Sequence, residues 1–209
     1  LTVVADPIEG AFTKLMDDAT SGTNAYDASM IAMQWLGELA EGDLVYPLDE
    51  FYGDTSGKFP AYDIDTEPES LKQLRYYGGQ QFVVPYDCDG QALYYRRDLL
   101  NDPEHAKAFE AEYGYAMPVP PQTWEQLRDI AVYFNDKPNG INGGPVSGIS
   151  LHLKVGGQGM YHYASLSAPY VIGPNNPQHY WFNPDDMTPL CTSPGHVEAA
   201  NLLKEIFGL

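Results

Sequence analysis

The chain of 209 residues is 44% hydrophobic and 13% aromatic, which is typical of a globular protein and excludes a disordered chain. Its 29 acidic and 11 basic residues leave a formal charge of -18, and a field of that sign repels phosphate backbones and anionic lipid surfaces. Nucleic acid is therefore not expected as a partner. The sequence contains no run of about 18 apolar residues, so no transmembrane helix is expected.

The first third of the chain is predicted to alternate strands and helices. Residues 1–5 are predicted as a strand, and a helix over 7–20 follows, with Asp6 as its N-cap. The largely apolar run 26–33 is typical of a strand that is covered on both faces, and 36–41 is typical of a short helix. This order of elements predicts a parallel sheet with crossover helices.

The middle of the chain is predicted to contain two more strands and two capped helices. The strands are predicted at 81–84 and 91–96, on either side of a polar corner. A helix is predicted to begin after Asp102, because a proline and a glutamate follow this N-cap residue. Thr123 and Gln126 predict a capping box at the start of the next helix.

The last third is predicted to contain a strand, a helix, a loop and a final helix. The strand is predicted at 146–151 and the helix at 157–170, while 180–182 is typical of a short strand or a loop. Ser193 followed by Pro194 predicts the start of the final helix. Its inward face is predicted to consist of four apolar residues, Val197, Ala200, Leu203 and Phe207.

Two segments, taken in this order, resemble a known family. The first, at 77–100, reads YGGQQFVVPYDCDGQALYYRRDLL, and the second, at 120–127, reads PPQTWEQL. Together they resemble the extracellular solute-binding proteins of ABC importers, specifically the carbohydrate-binding family 1 branch. The resemblance runs from near residue 1 to the end of the chain. It implies an α/β fold like that of the periplasmic binding proteins, with two lobes whose central sheets are flanked by helices.

The resemblance also implies an organisation and a function. The first lobe would span 1–88, and the hinge crossing and second lobe would span 89–209. Members of the family are longer, so both lobes are expected to be incomplete. The implied function is capture of a carbohydrate or polyol between the lobes, for delivery to the membrane subunits of an ABC permease. Such a protein would be periplasmic or extracellular, would need no cofactor and would not be an enzyme.

A neutral, hydroxylated ligand needs carboxylates and amides for its hydroxyl groups and aromatic rings for its apolar ring faces. Gln34 and Trp35 follow the predicted strand 26–33, and ligands of open α/β sheets lie beyond the carboxyl ends of strands. The polar corner carries a tyrosine and two aspartates, and a loop of the second lobe carries a tryptophan that would close over the ligand. The sequence therefore predicts six ligand-binding residues, Gln34, Trp35, Tyr86, Asp87, Asp89 and Trp181.

These residues also have ordinary structural interpretations. Trp35 would then be a core residue, and Tyr86 would pack the hinge. Asp89 would shape a turn, because it precedes Gly90. Trp124, at the start of a capped helix, is favoured as a core residue rather than a ligand contact.

Two other classes of function stay open. The chain could be a structural or interaction domain that binds no ligand. Less favourably, Asp87 and Asp89 could be the acid and the nucleophile of a glycoside hydrolase. No metal site is predicted, because neither the cysteines nor the histidines have ligand spacing, and His105 is expected at the surface. Cys88 and Cys191 could pair in an oxidising compartment or stay free thiols.

Overall fold

In the computed structural model the chain forms two compact units, Leu1–Gly90 and Gln91–Leu209. The structure describes residues 2–63, 66–87, 89–138, 143–153, 158–173 and 180–207. The first unit contains the helices α1 (Ile8–Ser21), α2 (Leu36–Glu41), α3 (Asp49–Tyr52) and α4 (Glu69–Lys72), and the strands β1 (Tyr76–Tyr77) and β2 (Gln80–Gln81). The second unit contains the helices α5 (Arg97–Leu100), α6 (Pro103–Tyr113), α7 (Trp124–Phe134), α8 (Gly159–Val171) and α9 (Pro194–Ile206).

Helix α1 forms close to its predicted position, but the strand predicted before it does not. Residues 2–7 are irregular and exposed, and residue 1 lies outside the described residues. Asp6 does not cap α1, because its carboxylate pairs with Nζ of Lys14 at 2.7 Å and Pro7 occupies the N-cap position. A strand is stable only when a neighbour satisfies its backbone groups, and 2–7 have no neighbouring strand within the described ranges.

Helix α2 has its predicted bounds, whereas the strand predicted at 26–33 is not formed. Residues 26–32 are irregular, and a single 3-10 turn at Met33–Trp35 leads into the helix. Leu36 and Leu39 of α2 are buried, while Met30 is exposed. An apolar run becomes a buried strand only where other elements cover both of its faces, and here the cover is missing at Met30.

The first unit contains a short antiparallel hairpin of β1 and β2, in which Tyr76 pairs with Gln81. Gly78 and Gly79 both have positive φ, at 56° and 86°, as the central residues of a type I′ hairpin turn do. The strand predicted at 81–84 is therefore reduced to β2. Residues 91–96, also predicted as a strand, are irregular and exposed. The parallel sheet that the sequence predicts is not present in the part of the chain that the structure describes.

Helix α3 and helix α2 hold this hairpin in place. The Oδ2 atom of Asp49 accepts a hydrogen bond from the backbone N–H of Gln81 at 3.0 Å. Leu48 donates its backbone N–H to the carbonyl oxygen of Gln81 at 2.6 Å. A Cβ atom at Gly37 of α2 would lie 3.4 Å from the ring of Tyr77, so this ring covers the helix. Both strands are thus fixed to helices of the same unit.

A buried ion pair lies beside the hairpin. Only 2% of the side-chain surface of Arg75 and 7% of that of Glu67 are exposed, and Nη1 of Arg75 lies 3.2 Å from the Glu67 carboxylate. Arg75 also donates from Nε to the carbonyl oxygen of Lys72 at 3.2 Å. The hydroxyl of Tyr62 donates to Oε1 of Glu67 at 2.5 Å. The acidic run 63–69 has the composition of a solvated loop, but the structure buries its Glu67 against a guanidinium group.

The described residues of the second unit form two hydrophobic clusters. One lies between α6 and α7 and includes the buried residues Leu100, Phe109, Met117, Ile130, Tyr133 and Phe134. The other lies between α8 and α9 and includes Leu166, Ala199, Leu202 and Ile206. Trp124 packs against this second cluster, so its prediction as a core residue is confirmed.

The two predicted helix caps of this unit are observed. The carboxylate of Asp102 accepts hydrogen bonds from the backbone N–H groups of Glu104 and His105, and the hydroxyl of Thr123 accepts one from the backbone N–H of Gln126 at 3.2 Å. The capping box is not reciprocal, because Oε1 of Gln126 accepts from the backbone N–H of Gln122 instead, at 2.7 Å. The first turn of each helix therefore begins at the residue that its cap predicts.

The final helix α9 also begins where predicted, but its buried face is different. The predicted inward residue Val197 is exposed, as are Ala200 and Phe207. The buried residues of the helix are His196, Ala199, Leu202 and Ile206. The face is rotated by about one residue, because the spacing of apolar residues fits both choices and packing against α8 selects one.

The strand predicted at 146–151 is not formed, and this segment instead runs close to α7. A Cβ atom at Gly148 would lie 1.7 Å from the carbonyl oxygen of Ala131, so only glycine permits this approach. Val146 exchanges backbone hydrogen bonds with Asp136 and Lys137 at the end of α7. The segment is therefore bonded to the helix end rather than to another strand.

We expect Gly148→Ala to lower the free energy of unfolding by about 2–3 kcal/mol, because the backbone of α7 must move to admit the methyl group. Denaturant unfolding followed by circular dichroism measures the change. Gly173→Ala is the matched control, since a Cβ atom there meets no atom within 4 Å. Equal stability of the two variants would show that 148 does not touch α7 in solution.

Two tyrosines of the second unit make its stability depend on pH in the alkaline range. Burial and a hydrogen bond to Asp129 raise the pKa of Tyr115 to about 12, and burial and a hydrogen bond to Glu125 raise the pKa of Tyr170 to about 12. An unfolded tyrosine has a pKa of about 10. The stabilisation is therefore complete below pH of about 10 and is lost as the pH rises through about 12.

We expect the unfolding midpoint to fall over this pH window and to fall less in Tyr115→Phe, which has no phenol to ionise at 115. Tyr46→Phe is the control, because Tyr46 is an exposed tyrosine of the first unit. A pH profile of Tyr115→Phe that coincides with that of the unaltered protein would contradict the assignment.

Candidate functional site

Gln34 and Trp35 lie in the 3-10 turn that precedes α2. The ring of Trp35 packs against Phe12 of α1, with ring centroids 4.9 Å apart and planes at 39°. Trp35 is partly buried, and Gln34 is exposed. Part of the indole therefore packs against α1. Another part of the ring and the side chain of Gln34 are accessible to solvent.

The polar corner predicted between two strands is an exposed, irregular segment. Tyr86 is 82% exposed, so it does not pack in the interior of the first unit. Asp87 and Asp89 are also exposed, and Cys88 between them lies outside the described residues. Their carboxylates and the phenol are thus accessible to a solute, on a segment without helix or strand from 82 to 87 and from 89 to 96.

Trp181 lies in the second unit, in the loop that precedes α9. This loop is closed by a bridge between Phe182 and Pro189, and Leu190 donates its backbone N–H to the carbonyl oxygen of Trp181 at 2.8 Å. The 180–182 segment is therefore a loop with one isolated bridge, which is one of the two predicted outcomes. Trp181 is partly buried.

The Trp181 ring belongs to a group of four rings, which we call the aromatic cluster. Its members are Tyr163 of α8, Tyr180, Trp181 and His196 of α9. The rings of Trp181 and His196 are nearly parallel, at 13°, with centroids 5.2 Å apart. The edge of Tyr180 meets Trp181 at 81° and 4.4 Å. Trp181 is thus supported by other rings rather than standing alone in a loop.

The sequence interpretation missed His196, which is 1% exposed. A signal for it was present, because 196, 199, 202 and 206 follow helical spacing and place the imidazole on the apolar stripe of α9. His105 was also misplaced, since it is partly buried rather than a surface residue. Its Nδ1 lies 3.1 Å from the hydroxyl of Tyr133, and its ring meets the edge of Phe134. Packed aromatic neighbours, which sequence spacing does not reveal, explain both positions.

The six predicted ligand-binding residues therefore fall into three groups. Gln34 and Trp35 share one turn, the residues at 86, 87 and 89 share one exposed segment, and Trp181 joins the aromatic cluster of the second unit. A separate open hollow of about 280 Å³ lies at the C-terminal end of α1, and none of the six predicted residues lines it. Its lining consists of Lys14, Asp17, Asp18, Ser21, Thr23, Ala25 and Tyr26.

Within the described ranges, the His, Cys, Asp and Glu side chains do not form a group of three or more that could hold a metal ion. None of the described helices is long and apolar enough to cross a membrane. Cys191 is an exposed thiol, and its possible partner Cys88 is not among the described residues.

Comparison with known proteins identifies the family. Residues 2–208 match the family model of the bacterial extracellular solute-binding proteins, and the chain therefore belongs to that family. Over 91 residues it is also 31% identical to a protein of Deinococcus radiodurans that is named "Probable ABC transporter-binding protein". The aligned stretch covers 43% of this chain and 19% of that relative. No solved structure matches the chain. Family membership implies the periplasmic-binding-protein fold.

Proposed function

We propose that the chain is the substrate-binding component of an ABC importer, which captures a carbohydrate or polyol in a cleft between two lobes. The observation that carries this proposal is the family match over residues 2–208. The name of the Deinococcus relative supports the transporter role. In this proposal the lobes are 1–88 and 89–209.

The types of residue in the predicted site favour a neutral, hydroxylated solute. Trp35 and Trp181 offer partly accessible rings to the apolar faces of a sugar. Gln34, Asp87 and Asp89 offer exposed amide and carboxylate groups, which bind hydroxyl groups. The formal charge of -18 disfavours an anionic solute, because the summed field repels it.

The partners and the location of the protein follow from the same proposal. The loaded protein would dock on the membrane subunits of an ABC permease and release its solute to them. It would act in the periplasm or at the extracellular face of the membrane. Neither a cofactor nor a catalytic residue takes part, since binding and release need only a shift between open and closed states.

A thermal-shift screen tests the proposal. We expect at least one compound in a panel of sugars and polyols to raise the melting temperature, because a ligand at about 100 times its Kd stabilises the folded state by about 2.7 kcal/mol. Small peptides serve as the comparison set. A panel without any stabilising sugar or polyol would instead support the alternative of a structural domain that binds no ligand.

Asp87 provides the sharper test. We expect Asp87→Asn to weaken binding of the sugar found in the screen by about tenfold, which corresponds to about 1.4 kcal/mol, because a neutral amide accepts hydroxyl protons less strongly. Isothermal titration calorimetry measures the change. Asp43→Asn is the matched control: it removes the same charge at an exposed residue of the same unit, and asparagine tolerates the positive φ of 53° at this position. Equal affinities of the two variants would remove Asp87 from the site.

A further inference from the structure

The aromatic cluster contains a buried imidazole whose orientation is fixed by hydrogen bonds. Nε2 of His196 lies 2.9 Å from the carbonyl oxygen of Tyr180, and a carbonyl oxygen only accepts, so Nε2 carries a proton. Nδ1 lies 3.1 Å from the hydroxyl of Tyr163. That hydroxyl also lies 3.0 Å from the backbone carbonyl oxygen of His196. Both ring nitrogens therefore have partners, and a flipped ring would lose the bond to Tyr180.

The hydroxyl groups around the imidazole are themselves held by α8. The hydroxyl of Ser167 donates to the backbone carbonyl oxygen of Tyr163 at 2.6 Å, and it is also hydrogen-bonded to the hydroxyl of Tyr180. Ser167 is fully buried. A polar network in which each described member has a partner is rigid, because any displacement leaves a buried group without a hydrogen bond.

This network acts on Trp181 at two points. The carbonyl group of Tyr180, which accepts from His196, belongs to the peptide bond that leads into Trp181, so the hydrogen bond fixes the backbone from which the indole extends. The near-parallel contact at 13° fixes the plane of the ring itself. Tyr163 and His196 lie 5.8 Å apart, so they cannot cover opposite faces of the indole. The imidazole thus supports one side of Trp181.

We propose that His196 is a positioning residue, which sets the plane of Trp181 so that the indole serves as a stacking platform for the ring of a pyranose sugar. This inference rests on the proposed function. His196 does not touch the ligand; it acts through Trp181. Stacking on an indole requires a rigid ring with an apolar face, which a pyranose has and an open-chain polyol lacks. His196 therefore determines the preference for cyclic sugars over linear polyols.

The test compares the affinity of His196→Gln for a pyranose, glucose, and for its open-chain polyol, glucitol, by isothermal titration calorimetry. The amide of glutamine can still donate to Tyr180, but it does not stack. We expect glucose to bind about tenfold more weakly and glucitol to change by less than about twofold. A purely structural role would weaken both ligands equally, and this result would overturn the inference. His152→Gln is the matched control at an exposed histidine of the same unit.

A second measurement needs no ligand, so it separates failure of this inference from failure of the proposed function. Near-ultraviolet circular dichroism of the unaltered protein minus that of Trp181→Phe gives the signal of the Trp181 indole. We expect His196→Gln to lose this signal while its far-ultraviolet spectrum is retained. A retained indole signal overturns the positioning role even if sugars bind. A lost signal supports it even if neither glucose nor glucitol binds.

Tyr163→Phe keeps the test decisive if His196→Gln does not fold. This variant preserves all four rings and removes only the hydroxyl group that faces Nδ1 of His196. We expect a partial loss of the indole signal and a smaller loss of glucose affinity, in the same direction. A folded Tyr163→Phe protein with an unchanged indole signal would overturn the inference.

Discussion

Phe109→Ala is expected to lower the free energy of unfolding of the second unit by about 4 kcal/mol, the typical cost of removing a fully buried aromatic ring. Phe109 is 0% exposed. Its ring stacks on Tyr113 at 4.5 Å and meets the edges of Tyr115 and Tyr133 at 5.3 and 5.4 Å. The substitution removes the ring at the centre of these contacts, and the large neighbouring rings cannot collapse into the space that it leaves.

Denaturant unfolding of both variants, followed by circular dichroism, measures this effect against a matched control. Phe207→Ala removes the same ring from an exposed position at the end of α9, and we expect it to cost less than about 1 kcal/mol. Similar losses in Phe109→Ala and Phe207→Ala would show that the α6–α7 cluster is not the main core of this unit.

Arg75→Met is expected to lower the free energy of unfolding of the first unit by about 3 kcal/mol, because it leaves the buried carboxylate of Glu67 without its counter-charge. Only 7% of the Glu67 side chain is exposed, so water cannot replace the guanidinium group. The hydrogen bond from Tyr62 stabilises the carboxylate only in part. Denaturant unfolding measures the loss.

Two further variants identify the cause of that loss. Lys72→Met removes the cation of a half-buried lysine from its pair with the exposed Glu69, and we expect it to cost less than about 1 kcal/mol. The double variant Arg75→Met/Glu67→Leu removes both buried charges, and we expect it to recover most of the lost stability. A double variant as unstable as Arg75→Met would show that shape, rather than an uncompensated charge, explains the effect.

The helices could be predicted because their signals are local. Asp102 and Thr123 each accept a hydrogen bond from backbone groups within three residues, so the sequence window that contains the cap also contains its partners. The bounds of α2 follow in the same way from its two buried leucines and the glycine that ends it. These elements were therefore confirmed almost residue by residue.

Most of the predicted strands are not formed, because a strand depends on a partner that is distant in sequence. The runs 26–33 and 91–96 have strand-like composition, but the described residues offer them no ladder partner, and both are irregular. Among the described residues, only 76–81 forms paired strands, because its two-glycine turn brings a partner within reach. Composition shows which segments are apolar, but it does not show whether a partner strand lies beside them.

The candidate site shows the same division. Residue types alone indicated rings and carboxylates for a sugar at Trp35, Asp87 and Trp181, and their roles in binding stay predictions. The support of Trp181 by His196 was missed, because the two residues are brought together by the loop before α9 rather than by helical spacing. When a site is built from separate elements, the sequence shows which residue types are available, but it does not show which of these residues contact one another.

By itself, the sequence determined the family of this protein, the caps of α6 and α7, the positions of most of the described helices, and a composition that disfavours anionic partners. These properties depend on local spacing and on counts of residues, neither of which depends on how the chain folds. Only the tertiary structure decided that His196 is buried, that Glu67 pairs with Arg75, and that α9 buries the face of Leu202. Burial is decided by packing between elements, and where several faces or partners satisfy the same local pattern, the free energy of the whole fold selects one.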